Sequence, residues 1–259
     1  MRASPLATFF AGSLPSMDVR KFAVWCSTAA CAAVLLAAAS TAAAQDNNKP
    51  FGQIRHETNA SRQARIQRTI KDTYSRRWEI FGGGGFLRFR SGETTQKNNE
   101  VTWTTQANYF LSPKFAIVGD ARGSFGNGKT AQYLDGGPNP FISRAPRPQI
   151  NEYTFTGGVG YRFYEHQKLA IGVQALGGIG WGMFSGGAKG LTYAQLGFWQ
   201  DSMKPAFIGN LNVDYNFYPD LAVRFSPTYV GTTFTGPDGG SVQNNLGFNA
   251  GIVYRFGRQ

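Results

Sequence analysis

The chain has 259 residues, of which 33 are glycine, 42% are hydrophobic and only 16% are charged, and its formal net charge is +11. Its mean hydropathy is -0.28. This composition excludes a helical membrane bundle, which needs repeated apolar runs of about 20 residues. It also argues against an ordinary helical enzyme.

The amino terminus has the order of a secretory signal. Residues 18–44 begin with a basic segment, continue into a short Ala-rich apolar run and end on Ala42-Ala43-Ala44. That order is typical of a cleaved signal peptide, and the apolar run is too short to span a bilayer comfortably. We therefore expect a signal peptide over 1–44, cleaved after Ala44, with Met1 or Met17 as the start.

Both cysteines, Cys26 and Cys31, lie within this signal. The mature chain then has no thiol, so it holds no disulfide, no Cys-ligated metal and no cysteine nucleophile. It keeps 23 basic and 14 acidic residues. More than half of that surplus lies in residues 45–77, at the front of the mature chain.

The basic leader, 45–77, contains one helical pattern. Ile66, Ile70 and Tyr74 recur at a spacing of four among arginines, which predicts an amphipathic helix within 58–76. Such a segment can lie on anionic lipid headgroups, fold under a barrel mouth, or bind an acidic periplasmic partner. A solvated linker is equally compatible with the sequence.

From Trp78 onward, apolar and polar residues alternate with a period of two, which predicts β-strands. The predicted strands are 78–90, 99–111, 115–126, 149–164, 168–184, 203–218, 220–233 and 242–256. Their connections alternate between tight turns and longer loops rich in Gly, Pro and Asn, such as 127–148. Short turns at one end and long loops at the other indicate an up-and-down antiparallel meander.

Charged residues fall on one face of these strands, opposite Phe, Ile, Leu, Tyr and Val. Very few Lys or Glu decorate the strands, so we expect a polar interior and an apolar exterior. The predicted lumen charges are Arg88, Asp120, Arg122, Arg162, Asp214, Arg224 and Arg255. They form either a selectivity lining for small anions or a salt-bridged plug. The plug is favoured because eight strands leave little free bore.

Aromatic residues crowd the strand ends, as in the interfacial girdles of membrane barrels. The predicted girdle comprises Trp78, Trp103, Tyr109, Phe110, Tyr161, Phe163, Trp181, Phe217, Tyr218, Tyr254 and Phe256. An open sheet edge in lipid would leave backbone groups unpaired, so closure of the sheet is required.

With its signal peptide, eight alternating strands and closing Phe248-x-x-Gly251-x-x-Tyr254-x-Phe256, the chain resembles small outer-membrane β-barrels of the OmpA/OmpX type over roughly 78–256. The resemblance implies an all-β fold over 78–259: a closed eight-stranded antiparallel transmembrane barrel of the bacterial outer membrane, with short periplasmic turns and longer extracellular loops. It further implies that Phe248, Gly251, Tyr254 and Phe256 are read by the outer-membrane insertion machinery. It implies no activity.

Residues that carry catalytic chemistry are scarce. Only His56 and His166 are histidines, and His166 falls in a turn that the periplasmic termini place on the inner side. A lipid hydrolase needs a His beside a Ser nucleophile near the outer leaflet, so we predict no enzymatic activity. No His, Asp or Glu spacing suggests a metal site, and we expect no cofactor.

The run Gly82–Gly85 does not make a phosphate-binding loop, because no Gly-Lys-Ser/Thr and no helix pattern follow it. We predict instead that it bends or bulges the first strand. The apolar phase shifts across it, so that Leu87 and Phe89 share a face opposite Arg88 and Arg90.

We therefore predict an integral outer-membrane protein with a structural or surface-interaction role. In this interpretation the loop 127–148, with Tyr133, Pro138, Phe141 and Arg144, faces outside and contacts an envelope or extracellular surface partner. The alternative is a narrow pore for small solutes or anions through the Arg-lined lumen. Lipid and the insertion machinery are expected partners, and nucleic acid is not.

Overall fold

A computed structural model describes residues 58–134, 137–143, 147–186, 188–236, 239–240 and 242–258. The predicted signal peptide, 1–44, and the leader segment 45–57 lie outside the described residues. Within the described part of the chain, no helix is both long enough and apolar enough to cross a membrane.

The predicted leader helix is present as α1, Asn59–Tyr74. Its amino end is capped by Thr58, whose Oγ1 accepts a hydrogen bond from the Ser61 amide at 3.3 Å. Most of the helix is exposed, but its last two residues, Thr73 and Tyr74, are buried. The spacing of four therefore identified a less exposed side of the helix, on which Ile66 and Ile70 are half-buried and Tyr74 is buried.

Eight strands form one closed antiparallel barrel, which confirms the predicted fold class. Each strand pairs with its neighbours in the chain, and the first pairs with the last. The strands are β1 Arg76–Arg90, β2 Lys97–Phe110, β3 Phe115–Asn127, β4 Gln149–Glu165, β5 Leu169–Gly186, β6 Ser202–Asn216, β7 Leu221–Thr232 and β8 Gln243–Arg258. Closure leaves no open edge, as a lipid environment requires.

The two ends of the barrel differ in their connections. The turn end carries the short connections after β2, β4 and β6, together with α1 and the end of β8. The loop end carries the longer segments after β3, β5 and β7. These contain a four-residue helix, α2 Tyr193–Leu196, and two small hairpins of two-residue strands.

The barrel exterior is apolar and its interior is largely polar. Val101 is 71% exposed and Val159 62%, whereas Asn108 in the same wall is 1% exposed. A water-soluble protein has the opposite arrangement, so the exterior faces lipid and the barrel spans a membrane. Closed barrels of this kind are the β-structures that cross bacterial outer membranes, and this protein is an integral outer-membrane β-barrel.

The glycine run of β1 does not produce a bulge, contrary to the sequence-based expectation. Pairing of β1 with both β2 and β8 continues through Gly82–Gly85 without a register shift. A Cβ at Gly85 would lie 1.9 Å from the Phe248 carbonyl oxygen, and one at Gly83 would lie 2.5 Å from the Ala250 carbonyl oxygen. The glycines therefore permit a close approach of the first and last strands.

Because the register is continuous, the faces of β1 do not exchange after the glycines. Leu87 and Phe89 are buried inside the barrel, whereas Arg88 and Arg90 point outward. The predicted lumen position of Arg88 is therefore wrong. The inference failed because it assumed an interior that is polar along its whole height, and the loop end of the lumen is apolar.

Most of the predicted girdle residues lie on the exterior. Near the turn end, the Trp78 ring centroid is 4.8 Å from that of Tyr109, and Phe115 and Tyr161 are 4.7 Å apart. The exterior also includes Trp103, Phe163, Trp181, Phe217, Tyr218, Tyr254 and Phe256. Phe110 is the exception, since it is 7% exposed and points inward.

Candidate functional site

The lumen at the turn end is filled by an ion network centred on Glu79 of β1. Arg162 Nη2 donates to Glu79 Oε2 at 3.0 Å, and Arg255 Nε donates to the same oxygen at 2.9 Å. Glu79 Oε1 accepts from Arg224 Nη2 at 2.5 Å and from Asn108 Nδ2 at 2.8 Å. One buried carboxylate thus holds three arginines from three other strands.

Asp214 of β6 is the second anion of this network. Arg224 binds it through two nitrogens, at 2.6 and 2.8 Å, and Arg255 Nη2 donates to it at 2.9 Å. The side chains of Glu79, Asp214, Arg224 and Arg255 are nearly fully buried. Bidentate guanidinium contacts of this kind are strong and geometrically specific, so the network fixes the relative positions of β1, β6, β7 and β8.

Tyr74, the last residue of α1, closes this end from below. Its hydroxyl donates to the His166 carbonyl oxygen at 2.7 Å and accepts from Asn216 Nδ2 at 3.0 Å. The Arg162 guanidinium lies 4.9 Å from the centre of its ring. Burial raises the pKa of the Tyr74 hydroxyl, although the Asn216 contact and nearby arginines act in the opposite direction. The neutral phenol of Tyr74 therefore covers the turn end of the lumen and connects α1 to the barrel.

A second polar layer lies nearer the middle of the lumen. Arg122 Nε and Nη2 donate to Asp120 at 2.7 and 3.0 Å, and Gln106 Nε2 donates to the same carboxylate at 2.7 Å. Arg122 also reaches Asn210 across the lumen at 3.0 Å. This layer joins β2, β3 and β6. Gln174 connects it to the Glu79 network, since it accepts from Asn210 at 3.0 Å and donates to Asn108 at 3.4 Å.

The loop end of the lumen is closed by apolar packing. Phe89 of β1, Phe184 of β5 and Phe234 belong to one buried cluster with Ile150, Ala188, Leu191, Leu196, Phe198 and Trp199. The Phe184 ring centroid lies 6.0 Å from that of Phe89 and 5.1 Å from that of Phe234. We call this cluster the apolar cap.

Hydrogen bonds hold the loops in place over the cap. Trp199 Nε1 donates to the Arg90 carbonyl oxygen at 2.8 Å. Asn139 Nδ2 donates to the carbonyl oxygens of Ala131 at 2.8 Å and Gln195 at 3.1 Å. The loop after β3 is thus tied to α2.

Two buried glutamates that the sequence analysis missed lie beneath the cap. Glu100 of β2 and Glu152 of β4 are almost fully buried, and one carboxyl oxygen of each has no hydrogen-bond partner among the described residues. Val101 follows Glu100 and Tyr153 follows Glu152 on the opposite face of the strand, so strand alternation is the signal that would have found them.

Six of the seven predicted lumen charges lie inside the barrel, in two layers. Arg162, Asp214, Arg224 and Arg255 are joined at the turn end, whereas Asp120 and Arg122 form the second layer. The central residue, Glu79, was missed. The predicted set contained five arginines and only two aspartates, and such an imbalance in a low-dielectric interior calls for another buried acid.

Within the described residues, these layers place side chains across the lumen at both of its ends. The network and Tyr74 occupy the turn end, and the apolar cap occupies the loop end. The arrangement suits a stable, filled barrel better than a conduction path.

No family model matches the chain, and no curated protein is significantly similar to it. Among solved structures it is similar to Ail, the attachment invasion locus protein of Yersinia pestis, with 14% identity over 70% of this chain and 99% of that chain and a TM-score of 0.45. Neisserial surface protein A is 11% identical over 69% and 97% of the two chains, with a TM-score of 0.48. Outer membrane protein W of E. coli is 16% identical over 70% and 98%, with a TM-score of 0.33. These values describe a similarity of fold alone.

Proposed function

We propose that the protein is a closed, non-enzymatic outer-membrane barrel that presents an ordered loop surface to partners outside the cell. The observation that carries this proposal is closure of the lumen at both ends, by the Glu79 network with Tyr74 below and by the apolar cap above. A filled barrel transports nothing through its axis, so its functional surface is the part outside the membrane.

The loop after β3 supports the surface role. Asn139 is buried and fixes its backbone, while Tyr133 is 63% exposed and Ile142 is 37% exposed. Apolar side chains on an ordered loop lose little conformational entropy when they bind. The loop therefore presents a preformed contact surface; its predicted contact residue Arg144 lies outside the described residues, and Phe141 is half-buried.

The surface role is tested with whole cells that lack the native protein and express defined variants. Tyr133→Ser with Ile142→Ser removes exposed apolar area from the loop end, and Leu111→Ser is the matched control at a periplasmic turn, where Leu111 is 66% exposed. We expect at least about threefold lower attachment of the loop variant to matrix-coated or neighbouring-cell surfaces. Equal attachment by the loop variant, or none by the wild type, would refute the role.

We also propose that the leader remains in the periplasm and that β8 guides assembly. Support for the latter comes from the outward positions of Phe248 and Tyr254, where insertion machinery can reach them. Gly251 supports the role of β8 in assembly in another way. A Cβ at this position would lie 2.2 Å from the Gly82 carbonyl oxygen and would disturb the pairing of β1 with β8 that closes the barrel. Phe256→Ala should lower the yield of inserted barrel in cells while leaving refolding of the purified chain unchanged; unchanged yield in cells would contradict the assembly role.

A further inference from the structure

Three basic side chains lie together on the exterior of the barrel near its loop end. Arg88 and Arg90 alternate along β1, and Lys97 begins β2; all three are exposed. The strand register places Arg90 directly opposite Lys97, and Arg88 opposite Asn99. We call these three residues the basic rim.

The basic rim carries positive charge that nothing in the described chain compensates. Like charges directly opposite each other on adjacent antiparallel strands destabilise a sheet. None of the ion pairs between described residues involves Arg88, Arg90 or Lys97, and Glu93 in the connecting loop forms none with them. An external anion between the two strands would remove this repulsion.

The surface directly below the rim is apolar. Phe86 is opposite Val101 on one side and Phe248 on the other, and Arg88 is opposite Leu246. Val101 is 71% exposed and Leu246 is 65% exposed. The site is therefore amphipathic, with cations above and exposed aliphatic side chains beneath, which matches a ligand that has an anionic head and acyl chains.

The height of the rim matches the outer headgroup layer. Trp78 marks the periplasmic edge of the apolar band, and Arg88 is ten residues further along β1. At about 3.3 Å per residue and a strand tilt of about 40°, this separation spans about 25 Å along the membrane normal. That is about the height of the apolar band of an outer-membrane barrel, so the rim lies at the outer boundary.

We propose that the basic rim binds the phosphate groups of an anionic lipid of the outer leaflet, with the acyl chains of that lipid lying along Val101 and Leu246. Guanidinium groups bind phosphate through paired hydrogen bonds, and three cations match a headgroup with more than one phosphate. The binding is lateral and depends neither on the lumen nor on the proposed loop contacts.

The test uses the mature chain refolded in zwitterionic micelles. Lipid binding is measured by native mass spectrometry for an acylated glucosamine disaccharide with two phosphates and for the same lipid without phosphate. The rim variant combines Arg88→Gln, Arg90→Gln and Lys97→Gln. The control removes three exposed periplasmic charges, with Arg62→Gln, Lys114→Gln and Lys168→Gln.

We expect the wild type and the control to bind the phosphorylated lipid at least about tenfold more tightly than the dephosphorylated lipid, and the rim variant to lose this preference. Competition by millimolar inorganic phosphate without any effect of removing the acyl chains would instead indicate a free-phosphate site and overturn the lipid assignment. Equal binding by rim variant and wild type, or equal binding of both lipids, would also overturn it.

A single substitution gives a second test that does not depend on folding of the triple variant. In micelles without anionic lipid, Lys97→Gln should raise the melting temperature, because it removes the repulsion from Arg90. With the phosphorylated lipid present, the same change should lower the melting temperature relative to wild type. A shift of the same sign in both conditions would contradict the proposal.

Discussion

The two ends of the lumen are closed by opposite chemistries. At the turn end, arginines from β4, β7 and β8 converge on two carboxylates, one from β1 and one from β6. At the loop end, Phe89 and Phe184 from the strands pack against Leu191, Phe198 and Trp199 from the loops. One closure is built almost entirely from the barrel wall, and the other needs the loops to fold over it.

This difference has energetic consequences. An ion network in a low-dielectric interior depends on every partner, because removal of one group leaves an uncompensated charge. Apolar packing loses stability in proportion to the volume removed, and adjacent loops can relax into part of the space. Substitutions at the turn end should therefore destabilise the whole barrel, whereas those at the loop end should act first on the loops.

The largest effect is expected for Glu79→Gln. It leaves Arg162, Arg224 and Arg255 with Asp214 as their only anion, and we expect the free energy of unfolding to fall by about 3–5 kcal/mol. Urea unfolding in lipid vesicles, followed by heat-modifiable gel mobility, measures it. The control is Glu93→Gln in an exposed loop. If both variants unfolded like wild type, the network would not hold the barrel together.

Phe184→Ala should lower the free energy of unfolding by about 3 kcal/mol. This is near the lower end of the range for truncation of a buried Phe, because loops on one side can collapse toward the cavity. Limited proteolysis of intact vesicles should cleave the loops faster while the strands stay protected. Phe155→Ala is the control, since Phe155 lies on the exterior and is 52% exposed. Cleavage of strands and loops at equal rates would show that the two closures are not independent.

Asn139→Ala should lower the free energy of unfolding by about 2 kcal/mol. The change leaves the Ala131 and Gln195 carbonyl oxygens and the Phe141 amide without their partner. Hydrogen exchange should accelerate in 137–143 and in α2, with no change at the turn end. The exposed Asn244 provides a control through Asn244→Ala. Acceleration spread over the whole barrel would argue against a local tie between the loops.

Tyr74→Phe should have the smallest effect and lower the free energy of unfolding by about 1 kcal/mol, because the hydroxyl contacts to His166 and Asn216 are lost. Because burial raises the pKa of Tyr74 above its ordinary value of 10.0, its contribution is fully present below that pH. It should disappear as the pH rises through the raised value. Unfolding titrations at pH 8 and at higher pH, with Tyr218→Phe as the exposed control, measure it; identical pH profiles for Tyr74→Phe and wild type would contradict this role.

Strand positions and the polar character of the turn-end lumen were predictable from alternation. The predicted strand 115–126 differs from β3 by one residue, because period-two patterning is strongest where one face is lipid-exposed and the other is charged. The helix was predictable for a similar reason, since Ile66, Ile70 and Tyr74 share one side of it.

The remaining features depend on contacts between segments distant in sequence. The position of Arg88 was missed because Phe89 next to it packs inward against loop residues, and nothing local distinguishes an apolar residue facing lipid from one facing an apolar cap. Glu79 was missed because its three arginine partners are 83 to 176 residues away along the chain.

Closure of the lumen is tested most directly by single-channel recording of the full mature chain in a planar bilayer. A filled lumen predicts no stable conductance steps from samples whose gel mobility confirms a folded barrel. Stable, anion-preferring steps from the wild type would contradict the closed barrel and establish a pore through the arginine-rich lumen.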